Sequence, residues 1–293
     1  MTPTAQREKL DDLKTVLGGL GRVVVAFSGG ADSAFLARVA TDALGADSVL
    51  CVTAVSPSLA PEELDDCRSL ADEWGLRWRQ VRTDEMADPA YRSNDADRCY
   101  HCKASLLDVL APLAEAEVST VVLGVNVDDL GDHRPGQRAA SERGARFPLV
   151  ESGYTKADVR QTSRQLGLRT WDKPAAACLA SRVPYGTPVT LGTLTTVAAA
   201  ESGLRALGFR QLRVRHYGDL ARVELDIDEL ARAVELRDHV VAAVRRAGYT
   251  YVTLDLEGFR SGNLNAAVAA TTGSDADQRR PPTPLPSSTK GTS

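Results

Sequence analysis

Apolar residues in the first half of the chain fall into short continuous runs separated by amphipathic stretches. Leu10 to Leu20 has the spacing of a short amphipathic helix. Arg22-Val-Val-Val-Ala-Phe27 is an unbroken β-branched run, the pattern of a parallel strand covered on both faces. A helix is expected over Asp32 to Leu44 and a second buried strand over Ser48 to Val55. Pro61 to Gly75 predicts a helix, with proline in its first turn and glycine at its end. Leu76 to Val81 is a third strand, Ala104 to Ala116 a helix and Thr120 to Val125 a fourth strand. This alternation predicts an α/β fold with a doubly wound parallel sheet, whose ligands bind at the carboxyl ends of the strands.

The pattern changes near residue 185. Thr190 to Leu207 reads as a helix. Leu212 to Tyr217 and Ala221 to Leu225 alternate as half-buried strands do, with a turn signal at Tyr217-Gly218-Asp219. Asp228 to Gly248 reads as one helix and Tyr249 to Asp255 as a strand. The expected domains are therefore 1–184, an α/β unit, 185–273, a smaller α+β unit for substrate binding and oligomerisation, and 274–293, a disordered tail. That tail is rich in Pro, Ser, Thr and charge and cannot build a core. Over 293 residues the net charge is −4, so bulk charge does not drive nucleic-acid binding. No apolar run approaches the roughly 20 residues of a membrane span, and the polar start, Met1 to Asp12, has no secretory h-region. A cytoplasmic protein is expected.

Between the first strand and its helix lies Ser28-Gly29-Gly30-Ala31-Asp32-Ser33. Glycines let a backbone approach an anion closely, and the free N–H groups of a helix start attract phosphate oxygens. Ser28 and Ser33 add hydroxyl donors. Asp32 suits such a site if Mg²⁺ bridges it to phosphate. The spacing is neither a Walker A loop nor a dinucleotide Gly-x-Gly-x-x-Gly. Ser-Gly-Gly-x-Asp-Ser resembles the signature of PP-loop ATP pyrophosphatases (adenine nucleotide alpha hydrolase-like folds), which split ATP between the α and β phosphates. The bland alternative is a serine/aspartate helix cap after a glycine turn. A polar stretch after the fourth strand, from Gly124 through Asp128 and Asp132 to Arg134-Pro135-Gly136, falls where a nucleotide would sit. Gly124 and Arg134 are candidate ATP contacts there, and Lys103 is a candidate to neutralise phosphate charge.

Five cysteines do not form a disulfide framework in a chain of this length. Cys99 and Cys102 form a Cys-x-x-Cys at a helix start, where thiolates are favoured. Cys178 lies among small residues, which leave room for a partner to approach. Three chemistries fit: zinc with His101 as a fourth ligand, a Cys99–Cys102 redox pair, or a [4Fe–4S] cluster on three thiolates with one open iron. Cys51, in a strand, and Cys67, in a helix, read as core.

From about residue 10 to 265 the chain resembles the ATP-dependent sulfur transferases that make the nickel-pincer nucleotide cofactor of lactate racemase. The residues that carry the resemblance are Phe27 to Ser33, Arg134-Pro-Gly136, Ser181-Arg-Val-Pro-Tyr-Gly186, Arg213-x-Arg215 and Tyr251 to Gly262. The resemblance implies adenylation of a carboxylate of pyridinium-3,5-biscarboxylic acid mononucleotide and displacement of AMP by sulfur. One form of the family sacrifices its own cysteine, whose position registers with Ala177 here. The other carries three cysteines on a [4Fe–4S] cluster and delivers a cluster-bound sulfide. The Cys-x-x-Cys favours the second form, with Cys99, Cys102 and Cys178 as ligands. Arg213 and Arg215 share one strand face and suit a phosphate or carboxylate; Arg182 and Arg260 join that pocket. Glu201 and Glu224 match acidic positions that bind a metal or face the acceptor. A third such position falls on Arg232, a departure from the pattern. The resemblance also implies a hexamer working with the carboxylase and nickel-insertion enzymes of the pathway. A tRNA thiolase of the same superfamily shares the loop but calls for a basic RNA surface, and an amide-forming ligase has no need of three cysteines.

Overall fold

In the computed structural model, β1 (Val23–Ala26), β2 (Val49–Val55), β3 (Trp78–Arg82) and β4 (Thr120–Leu123) form a parallel sheet in the order β3-β2-β1-β4. The described residues are 3–131, 135–175 and 177–260. The accompanying helices are α1 (Pro3–Leu20), α2 (Ala31–Leu44), α3 (Pro61–Trp74), α4 (Pro89–Ser93), α5 (Arg98–Ala116), α6 (Pro135–Glu142), α7 (Pro148–Glu151) and α8 (Lys156–Gln165). The valine run of β1 is apolar throughout because both faces are covered. Val23 and Val25 pack with Leu13, Leu17, Phe35, Leu70 and Val159. Val24 points the other way, to Leu107, Leu110 and Ala140.

Helix α8 carries too few apolar residues for periodicity to find it. A capping box starts it instead: Thr155 accepts from the Asp158 N–H, and Asp158 accepts from the Thr155 N–H. Lys9 on α1 also bonds Asp158 at 2.5 Å. Burial alone would raise the Asp158 carboxyl, but the hydrogen bonds from Lys9 and Thr155 outweigh it and hold the group below its ordinary range. A carboxyl depressed in the fold stabilises fully above its unfolded value of about 3.9, and the contribution fades as pH falls through the folded value. Asp158→Asn is therefore expected to cost about 2 kcal/mol at neutral pH and much less below pH of roughly 3. Urea melts at the two pH values check this.

The second sheet comprises β5 (Leu212–Tyr217), β6 (Leu220–Leu225) and β7 (Tyr251–Leu254), in that order. A turn at Gly218, φ 63°, closes the antiparallel hairpin. β7 then joins β6 in parallel. It is shorter than Tyr249 to Asp255, because the Thr250 and Tyr251 N–H groups both turn to the Asp219 carbonyl. Helices α9 (Leu191–Ala206), α10 (Leu230–Glu235) and α11 (Arg237–Arg246) cover this sheet. The single helix expected over Asp228 to Gly248 is broken at Leu236. Leu230, Ala233 and Leu236 on one side of the break and Val240 and Val244 on the other all pack on the same core.

Met1–Phe259 falls in one compact unit, and a second unit is Arg260–Ser293. Of the second unit only Arg260 is described, and it is exposed. The tail expected at 274–293 lies outside the described residues. Among the described residues no helix is long and apolar enough to cross a membrane.

Candidate active site

Strand β1 has β2 on one side and β4 on the other, so the chain reverses direction across the sheet at β1. A crevice opens at such a point beyond the carboxyl ends of the strands. A cleft of about 230 Å³ lies there, lined by Phe27, Ser28, Gly30, Asp32, Ser33, Lys103 and Gly124, among others. Ser33 closes the loop: its Oγ donates to the Gly30 carbonyl, accepts from the Ser28 N–H and lies 3.0 Å from Ser28 Oγ. Gly29 has φ 67°, and a Cβ on it would stand 2.8 Å from Cys67 Sγ. The loop therefore needs glycine for both backbone angle and space.

One Asp32 oxygen, Oδ2, pairs with Lys156 Nζ at 2.5 Å. The other, Oδ1, is buried with no hydrogen-bond partner among the described residues. A carboxylate oxygen left this way at the mouth of a phosphate loop is a ready ligand for a hard cation. Lys156 opens α8, and its N–H is held by Asp128 Oδ2 at 2.7 Å. Sequence reasoning named Lys103 and missed Lys156. The Thr-x-x-Asp cap could have located this helix start, but a pairing across 124 positions has no local signal.

Gly124, at the end of β4, packs on the start of α2. A Cβ there would stand 2.8 Å from the Ser33 nitrogen and 2.9 Å from the Asp32 carbonyl carbon. Gly124→Ala must push strand and phosphate loop apart. A loss of about 1–3 kcal/mol in thermal unfolding is expected, with a larger fractional loss of ATP cleavage than of stability. Arg134 lies outside the described residues. Gly136, from the same motif, sits under the first turn of α5: its Cβ would be 3.0 Å from the Cys99 carbonyl oxygen.

Cys99 is exposed, while Cys102 and Cys178 are half-buried and pack against one apolar cluster with Tyr91, Leu179, Ala180 and Val183. Burial, then the neighbouring Cys178, pushes the Cys102 thiol up to about 12. Among the described residues no three Cys, His, Asp or Glu side chains converge as placed to chelate an ion. The thiol chemistry and the shared neighbourhood nonetheless suit a sulfur-ligated centre. His101 Nδ1 faces Asp88 Oδ2 at 2.7 Å. Cys51 and Cys67 are fully buried core residues, and burial raises their thiols to about 12 and about 11.

Arg182, Arg213 and Arg215 are not on the surface, whereas Arg260 is. Arg182 and Arg215 are 5% and 1% exposed, and Glu201 and Glu224 are fully buried. Arg182 grips Glu201 through Nε and Nη2 at 2.7 and 3.0 Å, while its Nη1 donates to the Ala177 and Cys178 carbonyls. Arg205 and the Val214 N–H also bond Glu201. Arg215 grips Glu224 at 3.0 and 2.9 Å and donates to the Ser181 carbonyl; Arg222 shares Glu224. Arg213 stacks on Phe259 with its guanidinium 4.6 Å from the ring centre. Burial, then the charges of Arg182 and Arg215, lowers Arg213 to about 10. An arginine so perturbed gains from an arriving anion. Arg232 stacks on Phe209 and bonds the Leu207 carbonyl and Glu229.

Known proteins match this arrangement. The NAD synthase family profile matches residues 11–100, which span the phosphate loop and the first three strands. An uncharacterized protein of Synechocystis sp. is 48% identical, covering 89% of this chain and 98% of its own. An uncharacterized protein of Methanocaldococcus jannaschii is 26% identical over 82% of this chain and 91% of its own. The pyridinium-3,5-bisthiocarboxylic acid mononucleotide synthase of Lactiplantibacillus plantarum is 41% identical over 86% of this chain and 92% of its own. Identity at that level along nearly the whole of both chains, over a PP-loop fold with its cleft at the strand reversal, means that the protein belongs to the pyridinium-3,5-bisthiocarboxylic acid mononucleotide synthase family.

Proposed function

We propose that the protein is an ATP-dependent sulfurtransferase that adenylates a carboxylate of pyridinium-3,5-biscarboxylic acid mononucleotide and converts it to the thiocarboxylate. The observation that carries this is the start of α5. Its first turns bear Cys99 and Cys102, and the next residue, Lys103, lines the ATP cleft. A sulfur-handling segment and a phosphate-handling cleft thus share one helix start.

The N–H groups of the 28–33 loop and of the α2 start hold the β and γ phosphates. Asp32 would hold Mg²⁺, which when bound would offset phosphate charge together with Lys103 and Lys156. A substrate carboxylate oxygen attacks the α-phosphorus, and the bond to the bridging oxygen breaks to release pyrophosphate. A sulfur nucleophile then adds to the acyl carbon, and AMP leaves. Arg182, Arg213 and Arg215 bind the anionic groups of the nucleotide; Glu201 keeps Arg182 aimed and Glu224 keeps Arg215 aimed. Cys99, Cys102 and Cys178 would hold a [4Fe–4S] cluster, which when bound supplies the sulfur. In this reading residues 1–184 activate and residues 185–273 bind substrate, and the enzyme acts in the cytoplasm as a hexamer. It takes its substrate from a carboxylase and passes its product to a nickel-inserting enzyme.

Anaerobically purified protein is given ATP, Mg²⁺ and the biscarboxylic mononucleotide. Pyrophosphate should appear only with that nucleotide, and mass spectrometry should find oxygen replaced by sulfur. Pyrophosphate release that ignores the pyridinium nucleotide but responds to tRNA or ammonia would sink the proposal. Iron content and multiple turnover that survive Cys99→Ala, Cys102→Ala and Cys178→Ala singly would remove the cluster and leave the ATP half-reaction standing.

A further inference from the structure

Arg98, the first residue of α5, is 4% exposed. Its Nη1 donates to Asn94 Oδ1 and, at 2.9 Å, to the Ala180 carbonyl, 82 positions along the chain. Its guanidinium lies 5.4 Å from the centre of the Tyr185 ring. A buried cation normally demands a carboxylate partner, yet among the described residues none is within ion-pair distance of Arg98. Two neutral acceptors and an aromatic face hold it, next in sequence to Cys99 and against a carbonyl two residues past Cys178.

Asn94 completes the arrangement. It is fully buried and left-handed, with φ 61°. Its Nδ2 donates to the Pro184 and Thr187 carbonyls at 2.8 Å each. Its own carbonyl accepts from the Gly186 N–H, and the Arg92 carbonyl accepts from the Val189 N–H. The segment before the Cys-x-x-Cys is therefore stitched to the Ser181 to Gly186 stretch that follows Cys178. Cys178 has no such tie of its own to Cys99 or Cys102.

We propose that Arg98 and Asn94 are positioning residues, a buried clamp that holds the Cys178 segment against the first turn of α5 and so keeps Cys178 beside Cys102 in one apolar cluster. The purpose of the clamp rests on the sulfur-transfer reading, but its geometry does not. No group of the ATP cleft is part of the clamp, so it governs the second half-reaction and not the first.

The test uses the full-length, reduced, metal-free protein with Cys99→Ser, which leaves Cys102 and Cys178 as the reachable pair. Dibromobimane fluoresces strongly once it bridges two neighbouring thiols. Arg98→Met should slow the bridging at least about tenfold, as expected when a buried charged donor is lost. Asn94→Gly keeps the left-handed backbone, removes the amide bonds and should also slow it, while Arg98→Lys should fall between. In protein with all its cysteines, Arg98→Met should still release pyrophosphate with substrate while forming little thiocarboxylate. Bridging at the parental rate in both Arg98→Met and Asn94→Gly overturns the clamp. The bridging assay needs neither ATP nor iron, so a failure of the sulfur-transfer reading is seen separately.

Discussion

Asp32→Asn is expected to lower substrate-dependent pyrophosphate release by about 10²–10³-fold, the usual scale for a charged group aligned with transition-state charge. The substitution keeps the shape of the side chain but removes its charge. Asp32 Oδ1 is a buried oxygen with no hydrogen-bond partner among the described residues, and Oδ2 bonds Lys156 at 2.5 Å. A carboxamide offers a weaker cation ligand and no counter-charge to Lys156. The fold should change little, because the α2 start keeps its Ser33 bonds to Ser28 and Gly30. Lys156→Met is the informative partner. It frees Asp32, so metal binds more tightly while turnover still falls, because the cation facing phosphate is gone. Mn²⁺ titration followed by magnetic resonance, beside pyrophosphate kinetics, separates the two effects. If Lys156→Met changes melting temperature but neither metal affinity nor rate, Lys156 is only a structural tie.

The second large effect is on stability. Glu201→Ala should cost about 3–5 kcal/mol, the penalty for leaving a buried charge without its partner. Glu201 is fully buried and accepts from Arg182 twice, from Arg205 and from the Val214 N–H. Its loss unties α9 from β5 and releases Arg182, which also holds the Ala177 and Cys178 carbonyls. Domains are stable by only about 5–15 kcal/mol, so the urea midpoint should fall steeply. Glu201→Gln should lose less, since an amide oxygen still accepts. Replacing the pair together, Arg182→Met with Glu201→Leu, should recover much of the stability, because burying neither charge avoids the desolvation cost. It should not recover substrate binding. A double variant as unstable as Glu201→Ala would show that the ion pair is not the source of the loss.

Much of the site was legible in the order of residues. A β-branched run, two glycines and a helix start are local features, and they predict the phosphate loop because backbone conformation and helix-end N–H groups are set within a few residues. The Cys-x-x-Cys at the start of α5 was legible for the same reason. So was the alternation that puts Arg213 and Arg215 on one face of β5. Helix α8 was not, because its start rests on a capping box and its buried face is mostly polar, with Asp158, Thr162 and Ser163 turned inward. The break at Leu236 was missed because local spacing fits one helix nearly as well as two.

By itself, then, the sequence of this protein determined a parallel α/β sheet, a pyrophosphate-type loop at its carboxyl edge and three cysteines apart from the core ones. Tertiary structure alone decided what each polar side chain meets. Glu201 and Glu224, open to reading as solvated carboxylates, are buried and gripped by arginines. Lys156 reaches Asp32, and Arg98 reaches the carbonyl of Ala180. A charge in a sequence carries no sign of whether water or a counter-charge will surround it. That depends on which distant segments the apolar core brings together, and desolvation then makes the pairing obligatory.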